Sequence, residues 1–367
     1  MNDTKSNRKY YCNIIFCKSR LLKKYRFGDL FQIRPLPEKF QINYHKADHF
    51  PLIIEYYVNL SDVKPTNRKE LEDVEKFFSE ATLQNNWLHS LVRLLSVFTN
   101  HFFFVYDTEQ SWYFPLNSNL ANEIIDKMES SWGFKYYHID GIQEQLQITQ
   151  LTDTTEDDIL KIKHIDYFMK PHIDDTHAEI TISEFTDLMF ESFTTLTIQE
   201  KKYFEASVTL IYNGQQIKNK MRSLAYLSFI SSIETMTSYE FREKQADIEL
   251  ECKSCKRIKT SPFHCQECGN PTWGITQQFK EYLKKYLSDA PEANSIINKI
   301  YGVRSKIVHS GQLLLGDSFI DWDKDQKQNE EANGLISVMQ YSKLSIIKWL
   351  ILNGKEKAAA NTVFMKK

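Results

Sequence analysis

From about Thr197 onward, apolar residues recur at the spacing of helices buried on one side, and this periodicity sets the class of the second half of the chain. Five segments carry it: EKKYFEASVTLIYNGQQI, KNKMRSLAYLSFISSIETMTSYEF, TQQFKEYLKKYL, NSIINKIYGVRSKIVHSG and EEANGLISVMQYSKLSIIKWLILNG. The first is expected to close near Asn213-Gly214 or slightly later. The second is apolar on most faces, which places it centrally among the others. Short connections make the five a helical bundle, with one insertion between the second and third.

The first half reads differently. PLIIEYYVNL and NHFFFVYDTEQSWYFPL are dense in β-branched and aromatic residues, which favours buried strands, and NWLHSLVRLLSVF between them has helical spacing. Residues 150–192 are acidic and broken up, and are expected to form a linker or the trailing edge of the first domain. The expectation is therefore an α+β chain of 367 residues: a mixed α/β N-terminal domain over 1–192 and an all-α bundle over 197–357.

Composition narrows the function classes. Hydrophobic and charged fractions of 42% and 26%, with sparse Gly and Pro, exclude a disordered or fibrous chain. A net charge of −2 gives no global basic footprint, so nucleic-acid binding would have to use a local patch. The N-terminus, MNDTKSNRKYYCNIIFCKSRLLKKY, has a short apolar stretch, charged flanks and no small-residue cleavage site, unlike a signal peptide. No unbroken apolar run approaches the roughly eighteen residues of a membrane span. A cytoplasmic protein with no membrane partner is expected, its cysteines reduced unless they hold metal.

The insertion supplies such a site. It reads Cys252-Lys-Ser-Cys255 and, nine residues on, Cys265-Gln-Glu-Cys268-Gly269. Two CxxC pairs in a reduced chain point to a tetrahedral structural Zn²⁺ site over about 250–270, each pair presenting two thiolates from one tight turn. Gly269 offers the permissive backbone that follows the second cysteine of such a knuckle, whereas Lys256 holds that place in the first. A catalytic zinc needs an open position, and four cysteines leave none. His264 is an alternative ligand for a neighbouring cysteine. Cys12 and Cys17 have no metal spacing and read as buried thiols.

In the fourth helical segment, YGVRSKIVHSG places Arg304 five residues before His309, just ahead of a glycine stop. Arg-x(4–6)-His alone is weak: ten arginines and ten histidines produce roughly one such match by chance, and Arg257…His264 in the insertion is a second. Lys306 and His309 near a helix C-terminus also suit its dipole. Glu234, however, lies among Ile230, Ile233 and Met236 on the central helix, where a carboxylate needs a partner, and Arg304 is the obvious one. Its plain reading is a capped or surface-facing glutamate. His164, His172, Asp174, Asp175 and His177 have irregular spacing in an acidic stretch and read as solvated, and the Trp87–His89–His101 region reads as packing.

A bundle whose late helix carries Arg-x(4–6)-His resembles the HEPN superfamily. RSKIVHSG, the FISSIETMTS helix and the CxxC insertion between them are most similar to Apea-like HEPN domains, over roughly residues 197–354. Where that family often has Asn, Asp or His after the arginine, this chain has Ser305. The resemblance implies a metal-independent endoribonuclease acting as a homodimer, in a setting of phage defence or toxin systems. It assigns Arg304 and His309 as catalytic, Glu234 as a supporting acid, and RNA as substrate, with a phage-derived trigger as a further partner. The alternative is a non-catalytic HEPN-like module that binds nucleic acid or protein through Lys253, Lys256, Arg257 and Lys259 around the zinc knuckle.

Overall fold

The computed structural model describes residues 8–37, 49–62, 72–105, 146–169, 178–243, 250–251, 254–256, 258–259, 268, 274–288, 291–317 and 325–364. The chain is α+β and divides into two compact units. One comprises Met1–Val92, Phe103–Leu160 and His172–Thr181; the other comprises Arg93–Phe102, Lys161–Pro171 and Ile182–Lys367.

The first unit is built on an antiparallel sheet. Strands β1 (Arg8–Cys17), β2 (Tyr25–Phe27), β3 (Phe31–Pro35) and β4 (Phe50–Asn59) precede the long helix α1 (Glu72–Phe98), whose last turns count with the second unit; β5 (Phe103–Phe104) follows. The order in the sheet is β2-β3-β4-β1-β5. Consecutive residues Leu52, Ile53 and Ile54 of β4 are all fully buried, so both faces of the sheet are covered, since successive side chains point to opposite sides. On one face the Tyr56 hydroxyl reaches Asn13 Oδ1 and the Gln84 carbonyl of α1. On the other, Leu146 and Ile148 pack on Cys12, Leu36 and Ile53. Cys12 and Cys17 are indeed buried, and burial raises the Cys12 thiol pKa to about 12. Of NHFFFVYDTEQSWYFPL, β5 is seen, and the part from residue 106 lies outside the described residues.

A buried ionic cluster joins β3 and β4 to the chain beyond them. Glu55, with no exposed surface, accepts hydrogen bonds from Gln32 Nε2 at 2.5 Å, Arg34 Nε at 2.8 Å, and both the N–H and the hydroxyl of Thr152 at 2.7 Å. Burial pushes its pKa up, but the Thr152 and Arg34 bonds outweigh burial and hold it below the usual carboxylate value.

The second unit is helical. A short parallel pair, β6 (Lys161–Ile162) and β7 (Ile182–Ser183), flanks α2 (His164–Met169). Then come α3 (Thr186–Thr194), α4 (Ile198–Ile217), α5 (Arg222–Ser238), the hairpin β8 (Leu250–Glu251) and β9 (Ile258–Lys259), α6 (Ile275–Tyr286), α7 (Pro291–Ser310) and α8 (Asp325–Phe364). The start of α4 is a full capping box, Thr197 and Glu200 each bonding the other's backbone N–H. That helix continues past Asn213-Gly214 to Ile217. Gly214 is there for contact rather than termination: a Cβ would stand 2.6 Å from the Phe229 ring of α5. Ser207 and Ser232 bond across the same close crossing at 3.0 Å. Helix α5 is central, packing against α4, α6, α7 and α8.

Two features depart from the sequence reading. The end of the stretch 150–192, expected as a linker or the trailing edge of the first domain, enters helix α3 (Thr186–Thr194), which buries Met189, Phe190 and Phe193 with α8 as the packing partner. By averaged hydropathy, Asn329–Lys355 of α8 is long and apolar enough to cross a membrane, although no unbroken apolar run is; 61% of its apolar window is buried inside the protein. Trp349 of α8 donates to the buried Glu240 carboxylate at 3.1 Å, and Lys285 of α6 donates to its other oxygen at 2.6 Å. Glu240 lies in the π-helical turn Tyr239–Glu243 that ends α5, so one carboxylate ties three helices together.

Candidate active site at the contact of α5 and α7

Helix α7 runs unbroken through His309 and stops at Gly311, whose φ of +62° is the left-handed conformation of a C-terminal cap. His309 is thus held on the helix rather than at a frayed end. Its five-residue offset from Arg304 is about 140° around the helix, so the long arginine side chain must bend to meet it. It does: Arg304 Nη1 lies 3.5 Å from His309 Nε2. On its other side, Arg304 Nη2 lies 3.4 Å from Glu234 Oε1 on α5. The structure therefore brings Glu234, Arg304 and His309 into one cluster, with the guanidinium in the middle.

The cluster is loosely satisfied. Arg304 and Glu234 side chains are each 22% exposed, and His309 is exposed. Glu234 Oε1 is itself buried and accepts no hydrogen bond, so Arg304 faces it as a charge rather than as a donor. Burial raises the Glu234 pKa, against which the Arg304 charge and a hydrogen bond from Tyr301 pull it down without cancelling the effect. Ser305, after the arginine, is half-buried.

What registers α5 against α7 is the chain just beyond the site. Asp317 Oδ1 and Oδ2 accept the N–H groups of Arg222 and Ser223, at 2.7 and 2.6 Å, and so cap the N-terminus of α5. Ser223 Oγ accepts from Leu314 N–H at 2.8 Å, and Glu331 of α8 accepts from Leu315 N–H at 2.7 Å. Residues 311–317 thus lock the end of the histidine helix to the start of the glutamate helix. Sequence reasoning missed Asp317, which pairs with residues over ninety positions away and carries no local signal. It also assigned nothing to Tyr301, although Tyr301 opens the very stretch that drew attention.

At the insertion, β8 and β9 pair antiparallel with Glu251 opposite Ile258, and Ser254 and Cys255 between them lie in a turn. Cys255 is half-buried and Lys256 adopts φ +60°, the left-handed backbone that a knuckle requires after its second cysteine. Cys268 is exposed; Cys252, Cys265 and His264 lie outside the described residues, as do His172, Asp174, Asp175 and His177. Among the described residues no group of three or more metal-ligating side chains converges. The turn at Cys255 and the left-handed Lys256 suit the first half of the expected Zn²⁺ site; of its four cysteines, Cys252, Cys255, Cys265 and Cys268, the structure describes Cys255 and Cys268. His164 makes ordinary contacts, its Nδ1 lying 2.9 Å from Ser183 Oγ.

No protein-family model matches the chain, and neither a search of curated proteins nor one of solved structures finds a similar protein.

Proposed function

We propose that the chain is a metal-independent endoribonuclease of HEPN type, similar to Apea-like domains, cutting RNA at a site made by Arg304 and His309 with Glu234 in support. The single observation that carries this reading is the convergence of Glu234 and His309, at 3.4 and 3.5 Å, on the partly exposed Arg304 guanidinium. RNA brings its own nucleophile. The 2′-OH oxygen bonds to phosphorus, the bond from phosphorus to O5′ breaks, a base takes the 2′ proton and an acid supplies one to O5′. Histidine titrates near neutrality and can fill either role. Arg304 stays charged and can grip the phosphate oxygens as negative charge builds.

One histidine per chain leaves the second proton transfer without a group, and a twofold homodimer supplies it. Met221 and Leu224 at the start of α5, Val308 beside His309 on α7 and Leu313 just past α7 are 47–53% exposed. Exposed apolar side chains of this kind suit contact with a second copy. The N-terminal unit would then sense a trigger or select the RNA, in a phage-defence setting in the cytoplasm. The test is to sequence RNA 5′ ends after induced expression in a bacterial host, with His309→Ala as control. New ends in wild type alone support the reading; identical ends in both oppose it.

A second reading, a non-catalytic binding module, rests on the exposed Lys256 between β8 and β9, three residues before Lys259 of β9. It predicts RNA or protein binding that disappears when these lysines are replaced and is indifferent to His309.

A further inference from the structure

Lys299, Gly302, Lys306 and His309 follow one another at helical spacing, so they form one row along α7, and all four are exposed. From Ala293 to Ser310 the helix carries Lys299, Arg304 and Lys306 and no acidic residue. Arg304 is turned to Glu234, but neither lysine has an ion-pair partner among the described residues. In a chain of net charge −2, this is a local basic row that leads to the candidate site.

Gly302 is the unexpected member of the row. Glycine inside a helix costs stability relative to alanine, and elsewhere in this bundle packing explains it. A Cβ at Gly214 would stand 2.6 Å from the Phe229 ring, and one at Gly354 would stand 2.5 Å from Ser192 Oγ. A Cβ at Gly302 would meet nothing within 4 Å, and its φ is not positive, so the backbone there accepts any residue. Gly334 of α8 also has open space, but it is half-buried whereas Gly302 is exposed. Nothing within the chain therefore calls for glycine at 302.

A bare stretch of helix backbone lets something from outside come close, and charge says what. A second copy crossing this face about a twofold axis would set lysines against lysines. A polyanion meets an ammonium on either side of the glycine, about 10 Å apart along the helix. We propose that the Lys299–Gly302–Lys306 row is the track on which RNA lies beside the cut. The lysines grip phosphates flanking the scissile one, and Gly302 lets the sugar–phosphate backbone rest against the helix. Lys306 is one turn from His309, so a strand on this track passes the histidine. The proposal rests on the ribonuclease reading, but its binding half can be measured without cleavage.

The experiment uses the full chain and a fluorescein-labelled 2′-O-methyl oligouridine, which has no free 2′-OH and so binds without being cut. Its affinity is measured against salt concentration. Each phosphate contact on a single strand adds about 0.7 to the slope of log affinity against log salt. Lys299→Gln and Lys306→Gln should each flatten that slope by about 0.7, and the double variant by about 1.4. The double variant should also raise KM for a cleavable RNA by about tenfold, with kcat little changed. Lys202→Gln, at an exposed position on α4, is the control and should alter neither. Gly302→Leu should raise the melting temperature, leucine being the better helix former, yet weaken binding severalfold. A glycine that served only the fold would not move the two in opposite directions. An unchanged slope in the double variant, or an equal loss in Lys202→Gln, overturns the track. Gly302→Leu that binds like wild type overturns the close approach to the helix. Gly302→Leu that turns a wild-type dimer into monomers with the slope unmoved gives this face to a second copy and overturns the proposal. The predicted slopes in a protein that cuts no RNA support the track and overturn the ribonuclease reading alone.

Discussion

Two glutamates, Glu55 in the sheet unit and Glu234 in the helical unit, both sit beside an arginine, and they are treated in opposite ways. Glu55 is wholly enclosed and accepts four hydrogen bonds from Gln32, Arg34 and Thr152, which hold its pKa down in spite of burial. Glu234 is partly exposed, has one buried oxygen without a donor, faces its arginine at 3.4 Å, and has its pKa pushed up by burial. The first carboxylate is saturated and its arginine committed. The second leaves its arginine with capacity to spare, which is what a site for an incoming anion requires. Stability and availability are separated between the two units, and substitutions should pull them apart.

The largest expected effect is on the saturated side. Glu55→Ala leaves Arg34 buried without its counter-charge, a defect that costs about 3–5 kcal/mol, and chemical denaturation should show the loss. Glu55→Gln should cost less, because it keeps the volume and one acceptor. The next effect is purely functional. His309→Ala should lose roughly 10²-fold or more in RNA cleavage with the melting temperature unmoved, the scale of a removed acid or base. Arg304→Ala should lose a comparable factor and Arg304→Lys should regain only part, since an ammonium cannot make the two-pronged contact.

A smaller effect tests the comparison most finely. Glu234→Gln should not lower the melting temperature at neutral pH, and should raise it slightly, because the folded environment disfavours the ionised carboxylate; activity should fall. The pH dependence carries the same opposition of signs. Glu55, with a depressed folded pKa, contributes stability that is present above its ordinary value of 4.5 and lost as pH falls through the folded pKa. Glu234, with a raised folded pKa, makes the folded state bind its proton more tightly, so its contribution declines as pH rises above 4.5. Comparing acid unfolding of the Glu55→Gln and Glu234→Gln variants with wild type checks both signs. The smallest effect should come from the insertion: Cys265→Ser should lose bound zinc, measured by metal analysis at close to one ion per chain in wild type, while the helical unit keeps its melting transition because its core is separate.

The helices were readable from residues alone because their apolar spacing and caps are local signals. The change to helical spacing at about Thr197 placed the start of α4, which the structure shows to be capped by Thr197 and Glu200, and Gly311 marked the end of α7. The end of α4 at Ile217 falls slightly after Asn213-Gly214, as its sequence allowed, but the contact of Gly214 with the Phe229 ring on another helix has no local signal. Helix α3 was hidden because nine residues carry too little periodicity, and its apolar residues find their partner on α8, far along the chain. The Arg304–Glu234 pairing was legible from chemistry, an isolated acid on an apolar helix asking for a cation, while His309 entered through the Arg-x(4–6)-His motif and the family resemblance. Asp317, Tyr301 and the Glu55 cluster were not, because each draws its meaning from a contact across strands or helices that no local pattern encodes.

The most direct measurement is of the products. Purified full-length protein is incubated with RNA in EDTA, and the ends of the fragments are identified. Attack by the 2′-OH predicts 2′,3′-cyclic phosphate and 5′-OH ends, no cutting at a 2′-deoxy position, and loss of cutting in both Arg304→Ala and His309→Ala. Equal cleavage by both variants, or cleavage that appears only when Mg²⁺ is added, would contradict the account and return the arginine and histidine to the role of a helix end.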